Sequence, residues 1–422
     1  MSTRVPCINP DCSNTILPAT ATANQGLCAP CLGAIRKKEH DEYVRLNRKT
    51  VDLYAGVTEP VEMIQILLTP RKHDPLIVYA PAPASAEELF ARLSEEDANR
   101  LQKLAVAALE KGEEDFAEDL AKHLATLTPF PLTDIQRAWV SRDHHWPSIV
   151  FRTAEPEIRD RIIASLTAGN ANPNLALSAL AWVDDEVVRA CFTRWDEETP
   201  SWASKLYIRP SEYGRVAGWE ISGGKRHQLY HDVCYGIQVA PDSLHGEPLK
   251  LFGDASQPCP WCNHELSHMM AVNLADPRFA FLGLSGPGFS VLTCHCCTAY
   301  AGAFFSKFDS LGHTSPHPKN VRPEWLPSSD EWQSPAWKDQ RISLTLRPAI
   351  QSVDWCMELK NSQLGGHPTW VQDSDYPRCP DCSRSMRFVA QLDEGDIPYN
   401  EGTYYAFVCE PCQVTATSYQ QT

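Results

Sequence analysis

Cys379-Pro380-Asp381-Cys382, the apolar run Arg387-Phe388-Val389-Ala390-Gln391-Leu392, then Tyr405-Ala406-Phe407-Val408-Cys409-Glu410-Pro411-Cys412: this stretch decides how the chain is read. Cys-x-x-Cys makes a tight knuckle whose two thiolates face one metal, and a second knuckle completes a tetrahedral Zn(II) shell at about 2.3 Å per sulfur. Pro380 and Pro411 sit inside knuckles, where a fixed φ suits the turn. The pattern recurs upstream as Cys259-Pro260-Trp261-Cys262, an apolar segment to Asn273-Leu274, then Val291-Leu292-Thr293-Cys294 and Cys297. The inner cysteines are 31 residues apart in the upstream copy and 26 in the downstream one, a loop-sized difference, so a duplicated zinc-bearing β unit is expected.

A third set, Cys7, Cys12, Cys28 and Cys31, opens the chain. Five Cys-x-x-Cys pairs plus Cys7 and Cys12 account for twelve of the sixteen cysteines, and predict about three structural Zn(II) ions. Four thiolates fill a tetrahedral shell, so such metals stabilise folds and do not activate water. Cys191, Cys234, Cys296 and Cys356 are left over and read as core thiols. Cys296 competes with Cys297; the 294/297 spacing makes the better knuckle, but the sequence leaves the choice open.

At 422 residues the chain calls for about two to four domains. Hydrophobic residues at 43% and charged residues at 22% match a folded protein. A formal net charge of −15 repels phosphate backbones and favours basic partners, which argues against nucleic acid. The opening Met1-Ser2-Thr3-Arg4-Val5-Pro6-Cys7 lacks the apolar run of a secretory signal, and no later segment has the roughly 18 apolar residues of a membrane span. A cytoplasmic setting is therefore expected, where paired cysteines read as metal ligands and not disulfides.

Working outward, residues 1–50 form a four-cysteine finger with a mildly basic tail, Arg36-Lys37-Lys38 through Arg48-Lys49. Ala80-Pro81-Ala82-Pro83-Ala84 reads as a connector, because closely spaced prolines block a helix. From 85 to 200 apolar residues recur at three- and four-residue steps (Leu89, Leu93, Leu101, Leu104; Phe116, Leu120, Leu124, Leu127), opened by a capping box at Ser85 and Glu88. Short helices around Ile158–Leu166, Leu175–Leu180 and Val187–Phe192 complete a HEAT-like region. Strand-rich composition follows, with zinc-bearing antiparallel β units expected at 205–310 and 340–422. The proline-rich stretch between them reads as an extended connector packed by Trp325, Trp332 and Trp337. The fold class expected is α+β: N-terminal zinc finger, helical HEAT-like middle, two related β units.

Two rival motifs bear on function. His264-Glu265-Leu266-Ser267-His268 matches the H-E-x-x-H of zinc peptidases, in which histidines one helical turn apart bind metal and the glutamate activates water. It begins two residues after Cys262, and Ala271 and Leu274 stand where the longer metzincin pattern wants glycine and histidine. Ser222-Gly223-Gly224-Lys225 lacks P-loop spacing and reads as a turn.

The stretch Leu364-Gly365-Gly366-His367-Pro368-Thr369-Trp370-Val371-Gln372, with the Cys-Pro-Asp-Cys that follows, Met386 to Gln391-Leu392, and Tyr405 to Cys409, resembles the YwqG-like bacterial family of unknown function. It is also similar to the zinc-containing amino-terminal part of the programmed-cell-death-2-like chaperones, which guard a ribosomal protein. The resemblance covers residues 340–422, and 205–310 more weakly. It implies a β-rich fold and a protein-binding role with no known active site.

Together these readings predict a non-enzymatic, zinc-stabilised protein-interaction module, chaperone-like or toxin-neutralising, with a basic protein as partner. The alternatives are a nucleic-acid-associated zinc-finger protein, from the Arg36-Lys37-Lys38 run, and a metallopeptidase using His264, Glu265 and His268. Eleven acidic against four basic residues between Ser85 and Leu120 mark the surface on which a basic partner would dock.

Overall fold

The computed structural model describes residues 3–239, 248–326, 342–351, 361–393 and 402–421. The chain is mixed α+β and divides into two compact units, Met1–Leu89 and Phe90–Thr422. No helix among the described residues is long and apolar enough to cross a membrane.

In the first unit, β1 (Val5–Pro6) and β2 (Thr15–Ile16) pair as a short hairpin, followed by α1 (Pro18–Ala23) and α2 (Ala29–Asn47). β3 (Lys49–Val51), α3 (Pro60–Leu68) and β4 (Ile77–Tyr79) form a small parallel β-α-β unit. Glu59 caps α3, its carboxylate accepting the Glu62 N–H at 2.9 Å. Of the nineteen residues of α2 only Val44 is buried, so that helix turns nearly its whole surface to solvent.

Helix α4 (Ala86–Phe90) spans the division, and its N-terminus carries the capping box expected at Ser85: the Glu88 carboxylate accepts the Ser85 N–H (3.0 Å) and Ser85 Oγ accepts the Glu88 N–H (3.2 Å). Next come α5 (Glu95–Glu110), α6 (Glu114–Leu127), α7 (Thr133–Val140), α8 (Pro156–Ala168), α9 (Pro173–Val183) and α10 (Glu186–Glu198). Leu101, Leu120, Leu124, Ile158, Ile162, Leu177 and Phe192 are fully buried, as the apolar spacing requires. α8 ends where Gly169 takes φ +77°. Trp219 Nε1 donates to the Ala181 carbonyl at 2.9 Å, and its ring stacks on Phe192, joining the helices to the first of the later strands.

The strands are β5 (Trp219–Ser222), β6 (Lys225–Gln228), β7 (His231–Val239), β8 (Leu249–Pro258), β9 (Glu265–Asn273), β10 (Gly288–Thr293), β11 (Phe304–Phe308) and β12 (Thr314–Pro316). After them come β13 (Ile342–Arg347), β14 (Gln363–Gly366), β15 (Arg387–Leu392), β16 (Thr403–Cys409) and β17 (Val414–Gln420). Gly223 and Gly224 make the two-residue turn between β5 and β6 with both φ positive.

Two sheets hold the rest. One has three strands, β10-β9-β8; the other has eight, β12-β11-β17-β16-β15-β14-β7-β13, all antiparallel. Strands from 205–310 and from 340–422 therefore enter the same sheet. The two sheets share one core, in which Leu251, Met270 and Val291 of the smaller meet Leu364, Ala390 and Val408 of the larger. Where they adjoin, buried hydroxyls replace a ladder: Thr417 Oγ1 donates to the Leu292 carbonyl at 2.7 Å and Thr415 Oγ1 to Ser290 at 3.3 Å.

The proline-rich connector is not wholly irregular, because β12 lies within it and pairs with β11. Trp325 meets Tyr300 edge-on at 4.9 Å; Trp332 and Trp337 lie outside the described residues. Cys191, Cys234 and Cys296 are buried free thiols, as expected, and Cys356 lies outside the described residues.

Candidate metal centres

In the first set, Cys7 ends β1, Cys12 lies in the β1–β2 loop, Cys28 is the N-cap of α2 and Cys31 lies in its first turn. The helix start concentrates backbone N–H groups and a positive dipole end on Cys28 and Cys31, which favours thiolate there. Amide donors complete the surround: the Cys28 N–H donates to Cys7 Sγ (3.3 Å), Asn9 Nδ2 to Cys31 Sγ (3.2 Å) and Asn14 Nδ2 to Cys28 Sγ (3.6 Å). Cys28 is lowered to about 6, first by the hydrogen bond from the Cys31 backbone and then by Asn14.

The second and third sets use one knuckle geometry twice. After β8, the Cys259 N–H donates to the His264 carbonyl (2.7 Å), the Asn263 N–H donates to the Cys259 carbonyl (3.0 Å), and Asn263 turns to φ +64°. After β14, the Cys379 N–H donates to the Arg384 carbonyl (2.9 Å), the Ser383 N–H to the Cys379 carbonyl (2.8 Å), and Ser383 turns to φ +60°. The second knuckles, Cys294 to Cys297 and Cys409 to Cys412, follow β10 and β16. In both stretches the order is knuckle, strand, loop, strand, knuckle, strand.

Within each set the four sulfurs lie within 4.8 Å of one another. The closest pairs given are Cys12–Cys28 at 3.7 Å, Cys262–Cys294 at 3.6 Å and Cys382–Cys409 at 3.7 Å. A disulfide would put sulfurs about 2.05 Å apart. Four sulfurs each about 2.3 Å from a central ion are about 3.75 Å apart along a tetrahedron's edge. The donor set and its spacing therefore fit a tetrahedral thiophilic ion. Cys297 and not Cys296 belongs to the second set, which settles the choice the spacing left open.

Electrostatics point the same way. Hydrogen bonds from the Cys294 and Cys297 thiols hold Cys259 far below the usual thiol range, while the same contact with Cys259 drives Cys294 and Cys297 up. Four thiolates this close repel one another unless a cation lies between them.

The surroundings of the two β-borne sets differ. Trp261 lies inside the second knuckle and meets Phe304 edge-on at 5.1 Å, with Leu266, Leu292 and Cys296 filling the rest. The third set packs on Phe388, Tyr405, Phe407 and Tyr376, with Trp370 stacked on Tyr405 at 4.9 Å. Inside the third knuckle Asp381 is gripped by Lys307 Nζ (3.0 Å), Lys319 Nζ (3.0 Å) and His317 Nε2 (3.3 Å), and the Lys319 hydrogen bond leads in holding its carboxyl far down. Sequence reading missed this clamp, because its partners lie 62 to 74 residues away and follow no motif.

The peptidase-like pentad does not take the form its chemistry needs. Glu265 to His268 lie on strand β9, where residues four apart are separated by about 13 Å, not by one helical turn. Among the described residues His264 and His268 belong to no metal-capable group.

No protein-family profile matches the chain, and no solved structure matches it. The uncharacterised protein YpfL of Salmonella typhimurium strain LT2 is 36% identical to it over 442 aligned positions that span all of both chains, and at that identity and coverage this chain belongs to the YpfL family.

Proposed function

We propose that this chain is a non-enzymatic protein-interaction module, chaperone-like or toxin-neutralising, held by three structural Zn(II) ions and acting in the cytoplasm on a basic protein partner. The observation that carries the reading is the closed donor set: twelve cysteines in three groups of four, each giving a full tetrahedral shell with no position left for water or substrate. Helices α5 to α10 are read as a HEAT-like scaffold, and the C-terminal strands as a YwqG-like β unit with its own zinc.

The acidic α5–α6 stretch supplies the field that would speed association with a basic client. The test has two parts. Elemental analysis of protein purified without chelator should return three zinc ions per chain, and one or none would end the zinc reading. Capture on full-length protein followed by mass spectrometry should return one basic protein, lost when Glu113, Glu114 and Asp115 are changed to lysine. Nucleic-acid binding is the second reading, favoured by the solvent-facing Arg36, Lys37, Lys38 and Arg45 of α2. Tight retention of random RNA or duplex DNA at physiological salt would select it.

A further inference from the structure

We infer that a cleft between the helices and the C-terminal strands of the larger unit binds an extended segment of a basic polypeptide, seating an arginine or lysine side chain among aromatic rings. The inference rests on the protein-binding reading above and names where the partner docks.

The cleft has a volume of about 610 Å³, within the roughly 300–1,000 Å³ range of ligand sites. Its wall comes from four separate places in the chain: the turn at 146–149, helix α9, the segment 207–216, and the loop 367–374 after β14. That loop belongs to the Gly-Gly-His-Pro-x-Trp-x-Gln stretch singled out in the sequence, whose His367, Trp370 and Gln372 all line the cleft.

Two kinds of aromatic residue meet there. Trp182, Tyr213 and His367 form a rigid floor. Tyr213 donates its hydroxyl to Asn174 Oδ1, and His367, buried between Trp182 (5.2 Å) and Tyr230 (5.1 Å), places both ring nitrogens against backbone carbonyls. Trp146 and Tyr207 stand on the rim, 45% and 89% exposed, beside Ile208 at 40%. Three large apolar side chains gathered on one rim, each left to water, mark a surface built to be covered.

The charge of the cleft selects the occupant. Its cation, Arg215, is already engaged: Nη2 donates to the Tyr376 carbonyl at 2.7 Å, and the guanidinium lies over the Tyr376 ring at 5.7 Å. Glu212 is paired with Arg209 at 3.0 Å. The Asp373 carboxylate lines the cleft and forms no ion pair among the described residues. Aromatic faces attract cations through the ring quadrupole, with Trp the best, and an unpaired carboxylate beside them adds an ionic partner. An acidic or phosphorylated segment would instead meet Asp373 with like charge, in a chain whose formal net charge is −15.

The test uses full-length protein and a random dodecapeptide display library, selected on wild type and counter-selected on the Trp146→Ser/Tyr207→Ser double variant. Both changed residues face solvent, and the variant's melting temperature and metal content are checked first. Wild type should enrich peptides with a shared arginine or lysine. A synthetic copy of the consensus should bind at least tenfold more weakly to Asp373→Lys, and the deficit should shrink as salt rises. No differential enrichment, a consensus without basic residues, or equal affinity for Asp373→Lys would overturn the assignment. The double variant also separates the two proposals. If it still captures the native protein partner, the cleft is not the docking site and the protein-binding reading stands. If wild type captures no protein at all, that reading falls with it.

Discussion

The second and third cysteine sets share a knuckle down to the hydrogen bond and the positive φ, yet end in different sheets. After Cys412 a single residue, Gln413 at φ +54°, leads into β17, so the chain folds back on β16 and the knuckle acts as a hairpin turn. After Cys297 six residues intervene before β11, which crosses over to pair with β17 and leaves β10 in the three-stranded sheet. The length of the link after the second knuckle thus decides whether the unit closes on itself or donates a strand to its copy. The exchange makes the third set depend on the upstream half, through β11 and through Lys307, His317 and Lys319 on Asp381.

This asymmetry can be broken most forcefully by removing one metal at a time. Cys379→Ala should unfold the larger unit, because strands β15 to β17 lie within the eight-stranded sheet and a structural zinc supplies roughly 10 kcal/mol or more of apparent folding free energy. Cys259→Ala should yield soluble protein with one ion fewer and a lowered midpoint, since the three-stranded sheet adjoins the larger one without carrying it. Elemental analysis and circular-dichroism melting of the two variants decide the point, and equal damage from both would dissolve the distinction.

Trp261→Ala comes next in size. Its ring is buried on Phe304, and truncating a buried Trp costs about 3–5 kcal/mol. Loss should appear as faster zinc release from the second set, with the third set unaffected; a colorimetric chelator assay with Cys-set variants as references reads it.

The pH dependence should come from the β14 side. Burial first, and then the Arg387 charge, holds His231 at about 3; burial holds His367 at about 4. Both folded values lie below the unfolded value of about 6.5, so the unfolded chain takes up protons first. Stability is complete above about 6.5 and falls as pH drops toward the folded values, by up to about 1.4 kcal/mol per pH unit for each histidine. Denaturant midpoints in excess zinc between pH 7 and 5.5 should show that slope, flattened in His231→Gln/His367→Gln. An unchanged slope would assign the acid sensitivity elsewhere.

The smallest effect expected is at Asp381. Asp381→Asn removes the charge from three partners at the surface, so the midpoint should fall only slightly, and the fall should vanish in high salt. A loss as large as that of Cys379→Ala would show the clamp to be part of the metal site itself.

The twelve ligand cysteines were legible because each pair signals itself locally: the spacing that makes a knuckle is four consecutive residues long, and sulfur donors in fours have one common geometric solution. The helices were legible for the same reason, since three- and four-residue apolar steps and the Ser85–Glu88 box are local. The H-E-x-x-H pentad shows the limit of such reading. Its match to a helical site is cancelled by the pairing of β9 with β8 and β10, contacts that no five-residue window contains.

What the sequence by itself determined is the inventory of knuckles, helices and strands and the duplication that relates two of the cysteine sets. What only the tertiary structure decided is partnership. β11 chooses β17 over β10, Asp381 finds Lys307 and Lys319, and four distant segments close a cleft around His367 and Trp370. Each of these depends on which surfaces can be buried together once every local element exists, and that free energy belongs to pairs of residues far apart in the chain.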